Sequence, residues 1–235
     1  MYNQKSFLAV IPARGGSKGI PGKNIIEVYN KPLIQYTIDA ALDSKYLDRI
    51  IVSTDSQSIA EVSLKCGAEI PFMRPETLST DTSKTIDVLI HAIEELKKEG
   101  NEYNYLVLLQ PTQPLRTGHN IDEAIEMIIN NNEESLVSIS EVSEHPLLMR
   151  ELNEDGKLQN LLNMESTVRR QDFPKYYKVN GSIYINEINI NFNLNTSLND
   201  NKLGYLMNKE NDIDIDDFFD LELFKLKIDK MKVHT

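Results

Sequence analysis

Cysteine and long apolar runs are both scarce in this sequence of 235 residues. Cys66 is the single cysteine, so no intrachain disulfide can form and a zinc site built from cysteines is not expected. The apolar run near the N-terminus, residues 7–12, is too short for a secretory signal or a membrane span. We therefore expect a soluble, cytoplasmic protein that does not associate with a membrane and that folds without disulfides.

Basic residues are also scarce relative to acidic ones. The 25 lysines and arginines stand against 36 aspartates and glutamates, which gives a formal net charge of −11. A surface of this sign repels phosphate backbones, so nucleic acid is not an expected partner. A nucleotide is not excluded, because a local cluster of cations can hold one against the overall sign.

The hydrophobic pattern alternates between short apolar runs and amphipathic stripes at three- and four-residue spacing. This alternation predicts an α/β fold with a doubly wound, mostly parallel, Rossmann-like nucleotide-binding sheet. Ligands bind such sheets at the carboxyl ends of the strands. Strands are predicted at 7–11, 50–52, 105–109, 136–139 and 181–185, and helices at 84–98, 118–130 and 217–230.

The alternation stops after about residue 140. Residues 142–175 show no βα rhythm, so we predict that they form an inserted arm. The core then comprises residues 1–141 and 176–235. The asparagine-rich stretch 186–201 is predicted to be a surface loop.

The loop after the first predicted strand, residues 13–24, carries the strongest signal and is called the first loop below. It combines four glycines with three cations, Arg14, Lys18 and Lys23. Glycines let a backbone approach a ligand closely and turn its N–H groups inward. The first loop is therefore predicted to cradle phosphate, although its spacing matches neither the P-loop nor the dinucleotide fingerprint.

A cluster of acids lies near the C-terminus, in residues 212–216, called the aspartate segment below. Asp212, Asp214 and Asp216 alternate with isoleucines, so an extended chain places the three carboxylates on one face. Such a face suits Mg²⁺, which prefers oxygen ligands and usually takes one or two carboxylates. The alternative is an N-cap cluster for the following helix, a role that suits Asp217.

These segments resemble the acylneuraminate (CMP-sialic acid) cytidylyltransferase family, which includes the related legionaminate and pseudaminate CMP-sugar synthetases. The resemblance begins in residues 11–24 and continues in order through 49–55, 74–76, 109–116, 180–184 and 212–216. It implies attack of the anomeric hydroxyl of an acidic nine-carbon sugar on the α-phosphorus of CTP, with release of pyrophosphate. It also implies Mg²⁺ (or Mn²⁺) and a homodimer in which residues 142–175 are the dimerisation arm.

The resemblance assigns site residues in four groups. The catalytic residues are Lys23, Arg14 and Asp216, and the metal ligands are Asp214 and Asp216. The nucleotide-binding residues are Arg14, Gly15, Gly16, Ser17, Lys18, Lys23, Asn24 and Arg74. The sugar-binding residues are Gln110, Arg170, Lys178 and Asn180. Arg116 follows the same strand as Gln110 and is predicted to face the same cleft.

Several roles stay open at this level. Arg74 precedes a proline and is alternatively a turn residue, and Arg170 is alternatively part of a solvated turn. Lys178 stands where the family usually has arginine, which leaves the sugar open. The proton of the attacking hydroxyl passes to Asp216 or to a metal-bound water. His145 has a turn or interface role as its alternative to substrate contact.

Two other functions are also consistent with these motifs. One is a cytidylyltransferase for the eight-carbon 3-deoxy-octulosonate, or another sugar nucleotidyltransferase. The other is a catalytically silent nucleotide-binding protein on the same fold, since fold does not prove activity.

Overall fold

A six-stranded mixed sheet forms the centre of the computed structural model, which describes residues 1–162 and 169–233 but not the side chains of Arg170, Lys232 and Val233. The strands are β1 (Phe7–Pro12), β2 (Glu27–Val28), β3 (Lys31–Pro32), β4 (Arg49–Ser53), β5 (Tyr105–Leu109), β6 (Ser135–Glu141), β7 (Arg150–Leu152), β8 (Leu158–Asn160), β9 (Tyr177–Glu187) and β10 (Leu203–Leu206). The helices are α1 (Leu33–Leu42), α2 (Gln57–Lys65), α3 (Thr85–Lys98), α4 (Gly118–Asn130) and α5 (Phe218–Val233). Short 3-10 turns occupy Lys23–Ile25, Glu76–Leu78, Pro146–Leu148, Arg170–Asp172, Leu198–Asp200 and Lys209–Asn211.

The strand order in the sheet is β10-β6-β9-β5-β1-β4. Only β9 runs antiparallel to its two neighbours, and the other neighbouring pairs are parallel. The register places Ala9 of β1 between Ile50 of β4 and Val107 of β5. The predicted fold class, an α/β protein with a mostly parallel sheet, is confirmed.

Helices cover both faces of this sheet. Successive residues of β1 point to opposite sides, and the strand is apolar on both, so each face must be buried. Ala9 packs in a cluster with Ile34 of α1 and Ile125 of α4. Val10 packs on the other side with Leu89 of α3. All five residues are fully buried, and complete burial of a large aliphatic side chain contributes roughly 1.5–3 kcal/mol. The doubly wound arrangement thus follows from a strand that is apolar throughout.

A third apolar cluster joins segments that lie outside the main sheet. Ile20 of the first loop, Ile215 of the aspartate segment and Phe224 of α5 are fully buried in it. Leu33 at the start of α1 completes the contact. The first loop and the aspartate segment are therefore fixed to each other by hydrophobic packing.

The five predicted strands and three predicted helices are all present, with ends shifted by a few residues. The prediction omitted α1, α2, the small β2–β3 hairpin, the β7–β8 hairpin and β10. The two helices are short, 10 and 9 residues, so their apolar stripes repeat too few times to be distinctive. The predicted loop at 186–201 is mostly correct, except that its first two residues end β9.

Within the described part of residues 142–175, β7 and β8 pair with each other and not with the main sheet. Leu152 and Leu158 on this hairpin are 65% and 68% exposed. The division into core and arm stays a prediction. None of the helices in the described residues combines the length and apolar character that crossing a membrane requires.

Candidate active site

A cavity of about 510 Å³ opens at the carboxyl ends of β1 and β5 and is called the larger cavity below. The predicted phosphate cradle and the predicted metal ligands meet there. The predicted residues that line it are Arg14, Ser17, Lys18, Lys23, Asn24, Arg74, Gln110, Asp214 and Asp216. This is the edge of the sheet at which an α/β fold is expected to bind its ligand.

The first loop is shaped by contacts as well as by glycine flexibility. A Cβ added at Gly19 would lie 2.0 Å from the backbone oxygen of Asp216, so only glycine fits where the first loop crosses the aspartate segment. Gly22 has a φ of 65°, in the left-handed region that glycine adopts readily. The N–H of Gly15 donates to Asp55 Oδ1 at 2.9 Å. Gly19 thus allows the first loop to pack closely against the aspartate segment.

Two cations of the first loop share one anionic partner. Arg14 Nη1 lies 2.9 Å from Oδ1 of Asp81, and Lys18 Nζ lies 2.9 Å from Oδ2 of the same carboxylate. Lys18 and Arg14 together lower the pKa of the Asp81 carboxyl. A carboxylate that bridges two cations occupies the electrostatic position that a phosphate would take. No sequence motif identified Asp81, because its role depends on the approach of residues 79–83 to the first loop.

Lys23 and Asn24 connect the first loop to its surroundings. Lys23 is 12% exposed and donates from Nζ to the Ile215 carbonyl at 2.7 Å and to Asp216 Oδ1 at 3.2 Å. Asn24 is buried and donates from Nδ2 to the Arg14 carbonyl at 3.0 Å. The Lys23 ammonium is therefore held at the border between the predicted phosphate site and the predicted metal site.

Arg74 lines the larger cavity as a buried cation with unmet hydrogen-bonding capacity. It is 6% exposed, and its Nε and Nη2 atoms make no hydrogen bond within the described residues. Asp55 Oδ1 is 3.8 Å from Nη2, beyond hydrogen-bond distance. Burial lowers the pKa of Arg74, and Asp55 partly opposes this shift. Unsatisfied buried donors are costly, so this arrangement suits a ligand that presents acceptors.

Asp214 and Asp216 border the larger cavity, with Ile213 and Ile215 buried beneath them. Asp214 is exposed where it lines the larger cavity. The protein around it still removes part of its hydration, which raises the pKa of the Asp214 carboxyl; a hydrogen bond with Thr112 opposes the rise, and the charge of Asp216 adds to it. Two carboxylates from one segment beside a cationic loop fit a hard divalent cation, although Lys23 already pairs with one of them, Asp216.

The expectation that three aspartates share one face is wrong for Asp212. Its side chain is 8% exposed, and its Oδ2 pairs with Lys178 Nζ at 3.0 Å. No group of three acidic, histidine or cysteine side chains suited to a metal occurs in the described residues. Asp217 caps α5 as the alternative predicted, since its Oδ1 accepts from the N–H groups of Phe219 and Asp220 at 2.8 and 3.0 Å.

A second cavity of about 350 Å³ adjoins the first and is called the smaller cavity below. Gln110 and Asp214 line both cavities. Lys178 and Asn180 line the smaller one, so three of the four predicted sugar-binding residues lie together. The fourth, Arg170, starts a 3-10 turn, and its side chain lies outside the described part of the chain.

Asn180 is tied into the protein by its side-chain amide. Its Oδ1 accepts from Ser138 Oγ at 2.5 Å and from the Ser182 N–H at 3.1 Å, and its Nδ2 donates to Ser140 Oγ at 2.8 Å. Gly181 follows with a φ of 78°. These bonds fix the wall of the smaller cavity, and direct contact between Asn180 and a sugar stays a prediction.

The prediction that Arg116 faces the cleft is wrong. Its side chain is 3% exposed and donates to the Ser182 carbonyl at 3.0 Å and to Thr37 Oγ1 at 2.8 Å. It also donates to the Gln110 carbonyl. Burial lowers the pKa of Arg116 to about 9. Arg116 therefore positions the backbone of Gln110 from behind.

His145 lines neither the larger nor the smaller cavity. Its Nε2 lies 2.8 Å from the Pro174 carbonyl oxygen, and its Nδ1 accepts from the Leu147 N–H at 3.2 Å. The ring also contacts Phe173 and Tyr176. These contacts correspond to the turn-shaping alternative.

Comparison with known proteins agrees with this geometry. The model of the family described as "Cytidylyltransferase" matches residues 8–231. The chain belongs to the cytidylyltransferase family. It is 42% identical over 185 residues to the CMP-N,N'-diacetyllegionaminic acid synthase of Legionella pneumophila, covering 76% of this chain and 77% of that one.

A second family member is an N-acylneuraminate cytidylyltransferase of Streptococcus agalactiae, which is 36% identical over 211 residues. The match covers 89% of this chain, and the chain spans about half the length of that relative, 50%. Among solved structures, a CMP:2-keto-3-deoxy-manno-octonic acid synthetase complexed with CTP superposes with a TM-score of 0.72 at 17% identity, covering 96% and 99% of the two chains. That likeness shows the fold.

Proposed function

We propose that this chain transfers CMP from CTP to a sialic-acid-like nonulosonic acid and releases pyrophosphate. The observation that carries the proposal is the junction of two cavities at Gln110 and Asp214, one lined by loop cations and one by Lys178. The chain also belongs to the cytidylyltransferase family, and the two relatives described above are named for N-acylneuraminate and for diacetyllegionaminic acid. A further relative, 38% identical over 178 residues, is named pseudaminic acid cytidylyltransferase, so the proposed sugar is N-acetylneuraminate, legionaminate or pseudaminate.

The larger cavity accommodates CTP in this proposal. Arg14 and Lys18 bind the triphosphate in place of Asp81, supported by Ser17, which lines the same cavity. The predicted backbone contacts of Gly15 and Gly16 are less direct, because neither residue lines this cavity and the Gly15 N–H donates to Asp55. Arg74, which lines the same cavity, contacts the nucleotide near its cytosine end in this proposal. Phosphoryl transfer depends mainly on such positioning and charge neutralisation.

Asp214 and Asp216 would hold Mg²⁺ (or Mn²⁺), which they fit as two adjacent carboxylates beside a phosphate site. When bound, the cation neutralises phosphate charge during displacement. Lys23 lies 3.2 Å from Asp216 and stabilises the negative charge that develops on the leaving pyrophosphate. These residues therefore provide charge stabilisation at the junction of the cavities.

The chemical step is an in-line displacement at the α-phosphorus. The anomeric oxygen of the sugar forms the new P–O bond, and the bond from that phosphorus to the oxygen bridging to the β-phosphate breaks. Asp216 accepts the hydroxyl proton in this proposal, and a cation held by Asp214 and Asp216 would supply the alternative by acidifying water. The acidic group of the sugar lies toward Lys178, whose ammonium supplies a positive charge in the smaller cavity.

A second copy of this chain is the partner we propose for residues 142–175. Leu152 and Leu158 pair across the β7–β8 hairpin and are 65% and 68% exposed, and Leu161 just after β8 is 56% exposed. Grouped exposed apolar side chains mark interaction surfaces, whereas scattered ones do not. The combined variant Leu152→Asp and Leu158→Asp is expected to convert a dimer into a monomer in light-scattering mass measurements. A monomeric wild type would contradict this part of the proposal.

The activity is tested with purified protein, CTP and Mg²⁺. Pyrophosphate release is measured with N-acetylneuraminate, N,N'-diacetyllegionaminate, pseudaminate and the eight-carbon 3-deoxy-octulosonate. We expect release with at least one nine-carbon acid and a slower rate with the eight-carbon acid. Release with the eight-carbon acid alone would favour the octulosonate alternative. CTP binding without turnover on any acid would favour the silent nucleotide-binding alternative.

A further inference from the structure

Asp212 is a buried carboxylate that the proposed reaction does not use. Its side chain is 8% exposed, and its Oδ1 makes no hydrogen bond within the described residues. Oδ2 lies 3.0 Å from Lys178 Nζ. Burying a charge is costly unless it is paired, so Lys178 is the partner that makes this position tolerable.

Lys178 lies on β9 and lines the smaller cavity together with Gln110 and Asp214. Its side chain is 53% exposed, so the ammonium is held from behind by Asp212 while it faces solvent in the cavity. An ammonium has three donors, and the bond to Asp212 needs one of them. A flexible four-carbon stem does not orient a charge by itself, unlike the planar fork of arginine. Asp212 supplies that orientation.

Asp212 is itself held in place by groups on both sides. Lys227 of α5 donates from Nζ to the backbone oxygen of Asp212 at 3.3 Å and to that of Glu210 at 2.7 Å. The next residue, Ile213, is 5% exposed in the third apolar cluster. The aspartate segment, which carries Asp214 and Asp216, therefore also fixes the position of the Lys178 ammonium through Asp212.

We propose that Asp212 is a positioning residue that sets where Lys178 meets the acidic group of the sugar. The inference rests on the proposed function and adds to it a specificity-determining pair, Asp212 and Lys178. The pair connects the smaller cavity to the aspartate segment, so the sugar is placed relative to the predicted metal ligands. Asp212 acts through Lys178 and does not touch the reacting atoms.

The test uses Asp212→Asn, which keeps the shape, and Asp212→Ser, which cannot reach the ammonium. Steady-state kinetics are measured with the nonulosonic acid that the wild type converts fastest, and CTP binding is measured separately by calorimetry. We expect the KM for the sugar to rise about tenfold, with the KM and Kd for CTP unchanged within about twofold. Asp200→Asn, an exposed aspartate in the turn at 198–200, is the matched control and leaves all these constants unchanged.

A double-mutant cycle separates positioning from general structural support. In a Lys178→Met background, Asp212→Asn is expected to change the KM for the sugar by less than about twofold. An equal rise in both backgrounds would overturn the proposal, as would an unchanged sugar KM in Asp212→Asn alone. If Asp212→Ser does not fold, the Asp212→Asn cycle decides. A wild type that binds CTP but converts no acid refutes the proposed function, and the inference falls with it.

Discussion

The larger and the smaller cavity share Gln110 and Asp214 but are built in different ways. Most cations of the larger cavity come from one continuous loop, fixed to the aspartate segment where Gly19 meets the backbone of Asp216. The smaller cavity is walled by β9 and depends on an ion pair between Lys178 and Asp212. The cations of the larger cavity are thus mainly placed by one segment of the chain, whereas the cation of the smaller cavity depends on a tertiary contact. In the proposed function, the first cavity would bind the triphosphate and the second the sugar.

Removal of Asp214 is expected to give the largest effect, because this residue borders both cavities. We expect Asp214→Ala to lower kcat on the order of a thousandfold. The cation that would neutralise the phosphate charge loses one of its two proposed protein ligands in this variant. Pyrophosphate release measures the loss, and Asp200→Ala serves as the matched control. Activity equal to that of the wild type, with the same Mg²⁺ dependence, would contradict the assignment of Asp214 as a metal ligand.

Arg74 tests the larger cavity alone. We expect Arg74→Gln to raise the KM for CTP about ten- to hundredfold, because the guanidinium is lost from the cavity proposed for the nucleotide. The KM for the sugar should stay unchanged, because Arg74 does not line the smaller cavity. The melting temperature should not fall, since Nε and Nη2 make no hydrogen bond in the described protein. Arg49→Gln, which removes a surface ion pair with Glu69, is the control. Loss of stability without loss of CTP affinity would make Arg74 a structural turn residue.

Lys178 tests the smaller cavity alone. We expect Lys178→Arg to change the ratio of kcat/KM among the three nonulosonic acids about three- to tenfold, because a planar fork recognises a carboxylate differently from a point charge. The KM for CTP should stay constant. The control is Lys202→Arg on the exposed surface before β10. An unchanged substrate ratio would show that the acidic group of the sugar binds elsewhere.

Asp81 gives the smallest expected effect. Its carboxylate pairs with Arg14 and Lys18, so a triphosphate bound by these two cations would compete with it. We expect Asp81→Asn to lower the KM for CTP about two- to fivefold, since exposed ion pairs contribute little. A raised KM for CTP would instead mean that Asp81 helps to bind the nucleotide or its metal.

The larger cavity was predictable because three of its cations, Arg14, Lys18 and Lys23, lie in one loop. The continuous apolar run before Arg14 indicated that the first loop follows a buried strand. The alternation of aspartate with isoleucine indicated that Asp214 and Asp216 lie on one face of the aspartate segment. The partners Asp81 and Asp212 were not predictable, since each meets its cation only through tertiary folding. For the same reason Arg116, which follows β5 like Gln110, gave no sign that it would turn inward.

The direction of β9 was not predictable either. Its apolar run from Ile183 to Ile185 indicates a strand, but a buried strand has the same pattern in either direction. The antiparallel placement of β9 brings Lys178 and Asn180 to the end of the sheet where Gln110 lies. The sugar side of the site thus depends on topology more than on local sequence.

In the proposed reaction, the anomeric hydroxyl of a nonulosonic acid attacks the α-phosphorus of CTP where the two cavities meet. This step is tested most directly with a sugar that carries ¹⁸O at the anomeric hydroxyl, followed by mass analysis of both products. We expect the label to be retained in the CMP-sugar, in the oxygen that joins sugar to phosphorus, and the pyrophosphate to be unlabelled. A CMP-sugar without the label, labelled pyrophosphate, or no CMP-sugar with any nonulosonic acid would contradict it.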